Sequence, residues 1–339
     1  MAERYRATRV TLVLVVGLLS VVAAASFAGA VGCGGGTPGI GSPTGRPSRE
    51  VASSPYGAVA YATATVFASS IHPRSADSWG EIRAREFVIG TFQQYDYTPN
   101  LQEFITTTGG SRVHSANVVA VKEGVSAERL VVGAHYDAAG GEGYADNATG
   151  VALLLELAAR LRDKETPYTL VFVAFGADDR EQLGSHYFAE SMSDLERGAT
   201  RGMINLDGVA GGDGLYAFSR PGAPTWLRDD ILAAAVELDV ALGSPPARGG
   251  AAAGTATLAT ADRAFAAAGV PAAAVTASNW DAGRGNGAVQ TAEHGRIWDT
   301  NRDTVKFIDA SYPGRVQAQL ADLTRVLEQV LTSKLEKRA

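Results

Sequence analysis

One histidine and several aspartates stand at the ends of predicted strands or at the start of a predicted helix. They are His135, Asp146, Asp179 and Asp207. One imidazole and three carboxylates can hold one or two divalent cations, which polarise a carbonyl and stabilise a tetrahedral oxyanion. Asp137 is expected to accept the other ring N–H of His135 and so to fix its tautomer. Asp178 would stay free of metal and take a proton from metal-activated water.

The elements that must position these residues are an alternating series of strands and helices. Strands are predicted at Leu101–Thr107, Ser115–Lys122, Leu130–His135, Tyr168–Phe175, Met203–Leu206, Gly214–Phe218 and Pro271–Thr276. Asp146 is expected to cap a helix that runs to Leu161. The pattern predicts an α/β fold: a three-layer sandwich with a mixed central sheet, mostly parallel core strands and helices on both faces. Ligands collect at the carboxyl ends of such strands.

The first 55 residues are expected to lie outside the folded domain. In residues 1–33, three arginines precede the apolar run Val10–Gly32, which is typical of an export signal or an uncleaved membrane anchor. Cys33 follows small residues, as the lipidated cysteine of a bacterial lipobox does, although an unrelated cysteine is a third alternative. Residues 34–55 are predicted to be a flexible Gly/Pro/Ser tether, and residues 56–339 a single domain.

The N-terminus, the net charge and the composition indicate where the protein is located and which partners it does not have. Each of the three alternatives predicts an exported protein on the periplasmic or extracellular side, and we expect it to be held to the envelope membrane through Cys33 or the N-terminal helix. The net charge of −6 argues against nucleic acid as a partner. With one cysteine in the chain, the domain must fold without internal disulfides. Its hydrophobic fraction of 46% is enough for a sizeable core.

The order of the motifs resembles one family of metal-dependent hydrolases. In chain order the motifs are His135-x-Asp137, Asp146-Asn147-x-x-Gly150, the acidic pair Asp178-Asp179, Gly184-Ser185, Ile204-Asn205-x-Asp207 and a late Asp303-Thr304. This order is similar to that of the co-catalytic di-zinc aminopeptidases, which include bacterial leucyl aminopeptidases and aminopeptidase Y and have glutaminyl cyclases as relatives. The resemblance covers residues 68–308 and implies a zinc-exopeptidase-like fold.

The resemblance also implies a role for each site residue. His135 and Asp207 would hold one metal, Asp179 and Asp299 the other, Asp146 would bridge the two, and Asp178 would be the general base. The family has Glu-Glu at the acidic pair, histidine at Asp299 and Ser-Asp-His at Thr260-Ala261-Asp262. His294 is an alternative ligand in place of Asp299. The site is expected to hold one or two divalent ions: zinc by resemblance, or manganese, magnesium or calcium because carboxylates suit harder cations.

The expected function is that of an aminopeptidase, which hydrolyses the N-terminal residues of peptides through metal-activated water. Two alternatives stay open. One is a catalytically impaired family member that acts as a binding or scaffold module, because aspartate replaces glutamate and histidine in the site. The other is acyl transfer of the glutaminyl-cyclase type. Trp280, Trp298 and the loop Gly243–Thr257 either line a specificity pocket or serve only as packing and cover.

Overall fold

The computed structural model describes residues 47–179, 181–247, 252–256 and 258–335. The predicted signal or anchor, Cys33 and most of the predicted tether lie outside the described residues. Within the described ranges, no helix combines the length and the apolar character needed to cross a membrane.

An eight-stranded sheet organises the part of the chain that the structure describes. Its strands are β1 (Asn100–Thr108), β2 (Ser111–Lys122), β3 (Ser126–His135), β4 (Tyr168–Phe175), β5 (Thr200–Leu206), β6 (Gly214–Phe218), β7 (Leu242–Gly243) and β8 (Ala272–Ser278). Their order across the sheet is β1-β2-β4-β3-β5-β8-β6-β7. β3 is parallel to β4 and β5, and β5 is parallel to β8, whereas β1, β2 and β6 form antiparallel pairs. The expected mixed sheet with a parallel centre is confirmed.

Helices cover both faces of this sheet. They are α1 (Pro47–Ser53), α2 (Ala58–Ser70), α3 (Trp79–Gln94), α4 (Thr149–Leu161), α5 (Leu183–Ser191), α6 (Asp194–Ala199), α7 (Trp226–Glu237), α8 (Asp262–Ala267), α9 (Val305–Ser311) and α10 (Arg315–Thr332). Every residue of β4 is buried. Its alternate side chains enter two cores, with Leu170 and Phe172 in the larger one and Val171 and Val173 in the other. Because both faces of β4 are buried, its sequence is a nearly continuous apolar run.

The predicted tether is too long at its C-terminal end. Helix α1 occupies residues that were expected to be flexible, and it packs against α4. Val51 is buried in the larger core, and the buried Arg160 of α4 donates to the backbone carbonyls of Ser54 and Pro55 at 2.7 and 2.9 Å. The composition of this segment is that of a linker, but one apolar side chain and a buried guanidinium hold it on the domain.

The predicted helix cap at Asp146 is also wrong. Helix α4 begins at Thr149, and Asp146 lies in the preceding turn, Tyr144–Ala148, with φ −119° and ψ 87°. These angles are not helical, and the Asp146 carboxylate contacts His135 instead of the first amides of the helix. The turn therefore presents the carboxylate to the edge of the sheet.

Candidate metal centre

Parallel pairing brings the predicted site residues to one edge of the sheet. His135 is the last residue of β3, Asp207 directly follows β5, and the pair Asp178-Asp179 follows β4. Because β3 lies between β4 and β5 in parallel register, the carboxyl ends of the three strands meet. Side chains that are up to 72 residues apart in sequence thus face the same space.

The five residues proposed as metal ligands gather in two groups that share Asp146. The first group is His135, Asp146 and Asp207, and the second is Asp146, Asp179 and Asp299. Within each group, one possible ligand atom from each residue lies within 4.8 Å of the others. The Nε2 atom of His135 lies 3.1 Å from Asp146 Oδ1 and 3.7 Å from Asp207 Oδ1. The geometry is that of two adjacent sites with one shared carboxylate, and ligation itself stays a prediction.

The second ring nitrogen of His135 has a different partner from the one expected. Its Nδ1 atom lies 3.0 Å from the backbone carbonyl oxygen of Asp137, whereas the Asp137 carboxylate is 3.7 Å away. That carboxylate accepts the backbone N–H groups of Asp178 and Asp179 at 2.9 and 3.2 Å. Asp137 therefore orients the ring through its main chain and holds the turn after β4 through its side chain.

The charge on His135 is set by the acids around it. Burial disfavours the imidazolium, but the adjacent carboxylates of Asp137, Asp146 and Asp207 favour it and raise the pKa of His135 well above its usual range. The proton partly neutralises the surrounding carboxylates, as a cation would. A cation that binds here must displace this proton, since only the neutral ring offers a lone pair.

The carboxylates themselves are held in a poorly hydrated environment. Burial raises the pKa of Asp146 and of Asp179 to about 7. Asp179 Oδ2 is buried and accepts no hydrogen bond from any described residue. A buried carboxylate oxygen without a donor is costly unless a cation compensates it. Together with the oxygen and imidazole donors, this atom fits a divalent cation.

Asp178, the residue proposed as general base, lines the same pocket as the candidate ligands. Its Oδ1 atom accepts the backbone N–H of Ser185 at 2.6 Å, at the start of α5. Burial raises the pKa of Asp178 to about 7, with Asp137 adding a smaller effect of the same sign. A carboxylate with this pKa can take up and release a proton near neutral pH.

Two side chains hold the Asp146 turn in place, and no motif predicted a role for either of them. The Asp303 carboxylate accepts the backbone N–H groups of Ala145 and Asp146 at 2.6 and 3.1 Å. The Asn147 side chain donates to the Leu206 carbonyl at 2.8 Å and accepts from the N–H of Gly150. A β-carbon on Gly150 would lie 2.2 Å from Asn147 Oδ1, which explains the glycine in the motif.

Two buried charged residues support the other loops of the site. Arg74 donates to the carbonyls of Tyr136 and Gly143, both at 3.0 Å, and so braces the segment that follows β3. Glu81 accepts the N–H of Ala177 at 2.9 Å and the hydroxyl of Ser115. No local pattern predicts these roles, because each residue contacts backbone atoms that lie 62 or 96 residues away in the sequence.

The pocket-lining segment Leu258–Thr260 is held by an ion pair that no sequence pattern indicated. Arg220 donates from Nε and Nη2 to the two carboxylate oxygens of Asp262, at 2.6 and 2.8 Å. The same guanidinium binds the hydroxyl of Thr260 and the carbonyl of Leu258, both of which belong to pocket-lining residues. Asp262, which stands where the family has histidine, thus serves to hold this segment.

The pocket over the two groups has a volume of about 520 Å³. Its lining residues are His135, Asp146, Asp178, Asp179, Asp207, Leu258, Ala259, Thr260, Ala288, Arg296, Trp298 and Asp299. Trp298 is one of them, and its ring lies against Gly208, where φ is 54° and a β-carbon would meet the ring at 2.1 Å. Trp280 instead packs with Phe218 in a separate small core.

His294 does not replace Asp299 in the second group. Its Nδ1 atom hydrogen bonds to the Tyr312 hydroxyl at 2.7 Å, and its ring packs edge-on against Phe307. Neither group with ligand spacing contains His294. Asp299 itself is present in the second group, and one of its oxygens accepts from Arg296 Nη2.

Comparison with known proteins identifies the family. Residues 117–324, more than half of the chain, match the family model described as peptidase family M28. The chain belongs to peptidase family M28. It is also 30% identical over 287 residues to the alkaline phosphatase isozyme conversion protein of Escherichia coli. The aligned region covers 73% of this chain and 81% of that protein. The resemblance read from the motif order is thereby confirmed.

Solved structures share the M28 fold at low sequence identity. A zinc aminopeptidase from Bacillus subtilis aligns with a TM-score of 0.67 at 14% identity, over 83% of this chain and 97% of that one. A glutaminyl cyclase from Tannerella forsythia aligns with a TM-score of 0.64 at 19% identity, over 82% and 98% of the two chains. The α/β fold of the zinc aminopeptidases is thus confirmed, and both activities occur on it.

Proposed function

We propose that this M28 protein is a metal-dependent aminopeptidase that removes N-terminal residues from peptides. The observation that carries the proposal is the arrangement of the pocket. Five nitrogen and oxygen donors form two groups around a shared Asp146, and Asp178, which belongs to neither group, lines the same cavity. A proton acceptor beside a cation site is the combination that hydrolysis of an amide needs.

Each residue has a defined task in this proposal. His135, Asp146 and Asp207 would hold one divalent cation, and Asp146, Asp179 and Asp299 a second one. Bound cations would supply Lewis-acid polarisation of the scissile carbonyl and charge stabilisation as the tetrahedral state forms. Asp178 takes a proton from the attacking water and returns it to the leaving amine, which its pKa of about 7 allows near neutral pH. The buried Ser185 N–H fixes the orientation of its carboxylate.

The donor set does not restrict the cation to zinc. Zinc is favoured by the zinc aminopeptidase that shares the fold. One imidazole among four carboxylates is a harder set of donors, which suits manganese, magnesium or calcium as well. Several divalent cations are therefore candidates for the two groups.

Cyclisation of N-terminal glutaminyl residues is the second candidate, since glutaminyl cyclases are built on the same fold. Both reactions begin with a free N-terminus in the pocket and differ in the nucleophile. Water attacks the first peptide bond in the aminopeptidase and releases the N-terminal amino acid. In cyclisation the α-amine attacks the side-chain amide of the glutamine, and ammonia leaves. A substrate with N-terminal glutamine distinguishes the two by its product.

The test combines metal content with turnover in the purified full-length protein. We expect one or two divalent ions per chain, and hydrolysis of aminoacyl-nitroanilides after incubation with zinc, manganese or calcium. Asp178→Asn should keep the metal and lower hydrolysis by about a hundredfold or more, because the proton acceptor is lost. Glu181→Gln is the matched control, since Glu181 is a nearby acid that is absent from this pocket and pairs with Thr108.

The outcomes separate the alternatives. Release of pyroglutamyl product without nitroaniline would assign the cyclase reaction. If the protein binds metal but forms neither product, the remaining alternative is a binding or scaffold module. A protein that binds no divalent cation would contradict every metal-based assignment.

A further inference from the structure

The second group of candidate ligands differs from the first in having an arginine attached to it. Arg296 lines the pocket, and its Nη2 atom donates to Asp299 Oδ2. The two side chains are about half exposed, at 56% and 40%. The Nε atom of Arg296 donates to the Trp298 carbonyl at 3.0 Å, which points the guanidinium along the wall toward Asp299.

The first group has no comparable partner within the described ranges. Among the described residues, Asp146 and Asp207 form ion pairs with His135 and with no lysine or arginine. His135 is itself a candidate ligand, whereas Arg296 carries a fixed positive charge and is a candidate ligand in neither group. A cation that binds to the second group therefore comes close to the positive charge of Arg296, which forms no ion pair with the first group.

We propose that Arg296 competes with the second cation for Asp299, so that the first site binds tightly and the second weakly. The proposal rests on the metal centre described above. A cation at the second group must either share the Asp299 carboxylate with a guanidinium or draw it away. Sharing the carboxylate places two positive charges a few ångströms apart. Drawing it away breaks a charge-assisted hydrogen bond. Arg296 thus determines how many cations the protein holds at a given cation concentration.

Asp299 is suited to exchange partners. It is the last described ligand candidate in the chain and the most exposed of the second group, whereas Asp146 and Asp179 are more deeply placed. Its backbone is in the left-handed region, with φ 55°, which aspartate tolerates better than most residues. A short side chain in a tight turn can rotate between Arg296 and the pocket without movement of the sheet.

The experiment is a titration of the cation-free full-length protein with Mn²⁺, followed by calorimetry and by metal counting after desalting. In wild type we expect one tight and one weak binding event. Arg296→Gln should strengthen the weak event about tenfold or more and leave the tight event unchanged. Arg302→Gln removes the same charge from the same loop without contacting Asp299, so both of its affinities should equal those of wild type.

Several results would overturn the proposal. They are an unchanged or weaker second event in Arg296→Gln, an equal shift of both events, or the same shift in Arg302→Gln. Arg296→Lys keeps a charge but lacks the planar fork, and an intermediate second affinity is expected. Circular dichroism and melting temperature check that each variant is folded.

The titration also separates this proposal from the proposed function. If the second affinity responds to Arg296 but no substrate is hydrolysed, the role of Arg296 stands and the aminopeptidase assignment fails. If substrate is hydrolysed and Arg296→Gln leaves both affinities unchanged, the assignment stands and the competition is wrong. Absence of any cation binding contradicts both.

Discussion

Desolvation is the dominant effect on the acids of the site. Burial raises the pKa of Asp146, Asp178, Asp179 and Asp303 to about 7 in each case. Their mutual repulsion adds to this, while the backbone N–H groups and His135 act in the opposite direction. A buried cluster of this kind binds protons at neutral pH unless a cation replaces them. Proton and cation binding are therefore coupled.

The first prediction at this scale concerns the pH dependence of cation binding. Asp146 and Asp179 must lose protons to bind a cation, and His135 must lose its own. Affinity for Mn²⁺ should therefore rise with pH from 5.5 to 8.5, by up to about tenfold per pH unit for each proton released. Calorimetry in buffers of different ionisation enthalpy measures the protons released. A flat affinity with no proton release would contradict the pKa shifts.

The second prediction concerns Asp303, which touches the backbone of the Asp146 turn. Asp303→Asn keeps the size of the side chain but offers one oxygen acceptor instead of two. Since the amides of Ala145 and Asp146 each use one oxygen, the turn loses a hydrogen bond and Asp146 is less well oriented. Cation affinity should fall about 10- to 100-fold.

Asp309→Asn is the control for this variant. Asp309 lies on α9, where it accepts from the Tyr61 hydroxyl at 2.8 Å. The variant should bind cations as wild type does. Equal affinities in the Asp303 and Asp309 variants would show that the turn does not need the Asp303 carboxylate.

At the scale of elements, helix α1 is part of the domain. Glu156 of α4 accepts the N–H groups of Gly57 and Ala60 at 2.9 and 2.6 Å, and so caps α2. The Nε atom of Arg160 lies 2.7 Å from Glu156 Oε1, and the same guanidinium donates to the backbone carbonyl of Ser54, which follows α1. This buried pair links α1, α2 and α4, because each partner satisfies backbone groups of a neighbouring element.

The third prediction compares two shortened chains. A chain that starts at Tyr56 loses Val51 from the core and removes the carbonyls of Ser54 and Pro55 from Arg160. Its Tm should be lower by about 2 to 6 °C than that of a chain starting at Pro47. The longer of the two should melt like the full-length protein. Thermal unfolding by circular dichroism measures this, and equal Tm values would show that α1 contributes nothing.

At the scale of the molecule, the ligand edge of the sheet belongs to a domain preceded by an N-terminal segment that lies outside the described residues. We propose that this segment exports the protein and that Cys33 is lipidated, which would hold the pocket at the envelope membrane among peptide substrates. The apolar run Val10–Gly32, the small residues before Cys33 and the arginines ahead of the run support this.

The fourth prediction tests this anchor. Cys33→Ala should abolish incorporation of a labelled fatty acid, and the mature protein should no longer begin at residue 33. Membrane fractionation and mass spectrometry of the mature N-terminus measure both effects. A wild-type protein that retains residues 1–32 without lipid would instead indicate an uncleaved anchor.

The sequence by itself determined the sheet and most of the candidate site. Nearly continuous apolar runs place β3 and β4 within a few residues, since both faces of these strands are buried at the centre of the sheet. The acids that follow the strands are brought together because parallel strands end at a common edge. The order of the motifs was enough for the family, which the comparisons confirmed.

Only the tertiary structure decided how those side chains are held and paired. Asp303 acts on the backbone of Asp146 across 157 residues, and Arg74 on that of Gly143 across 69. Whether Asp137 orients His135 by its carbonyl or its carboxylate, and whether Arg296 pairs with Asp299, likewise depends on the path of a loop. Local patterns follow burial and periodicity, whereas such contacts depend on which loops fold together in space.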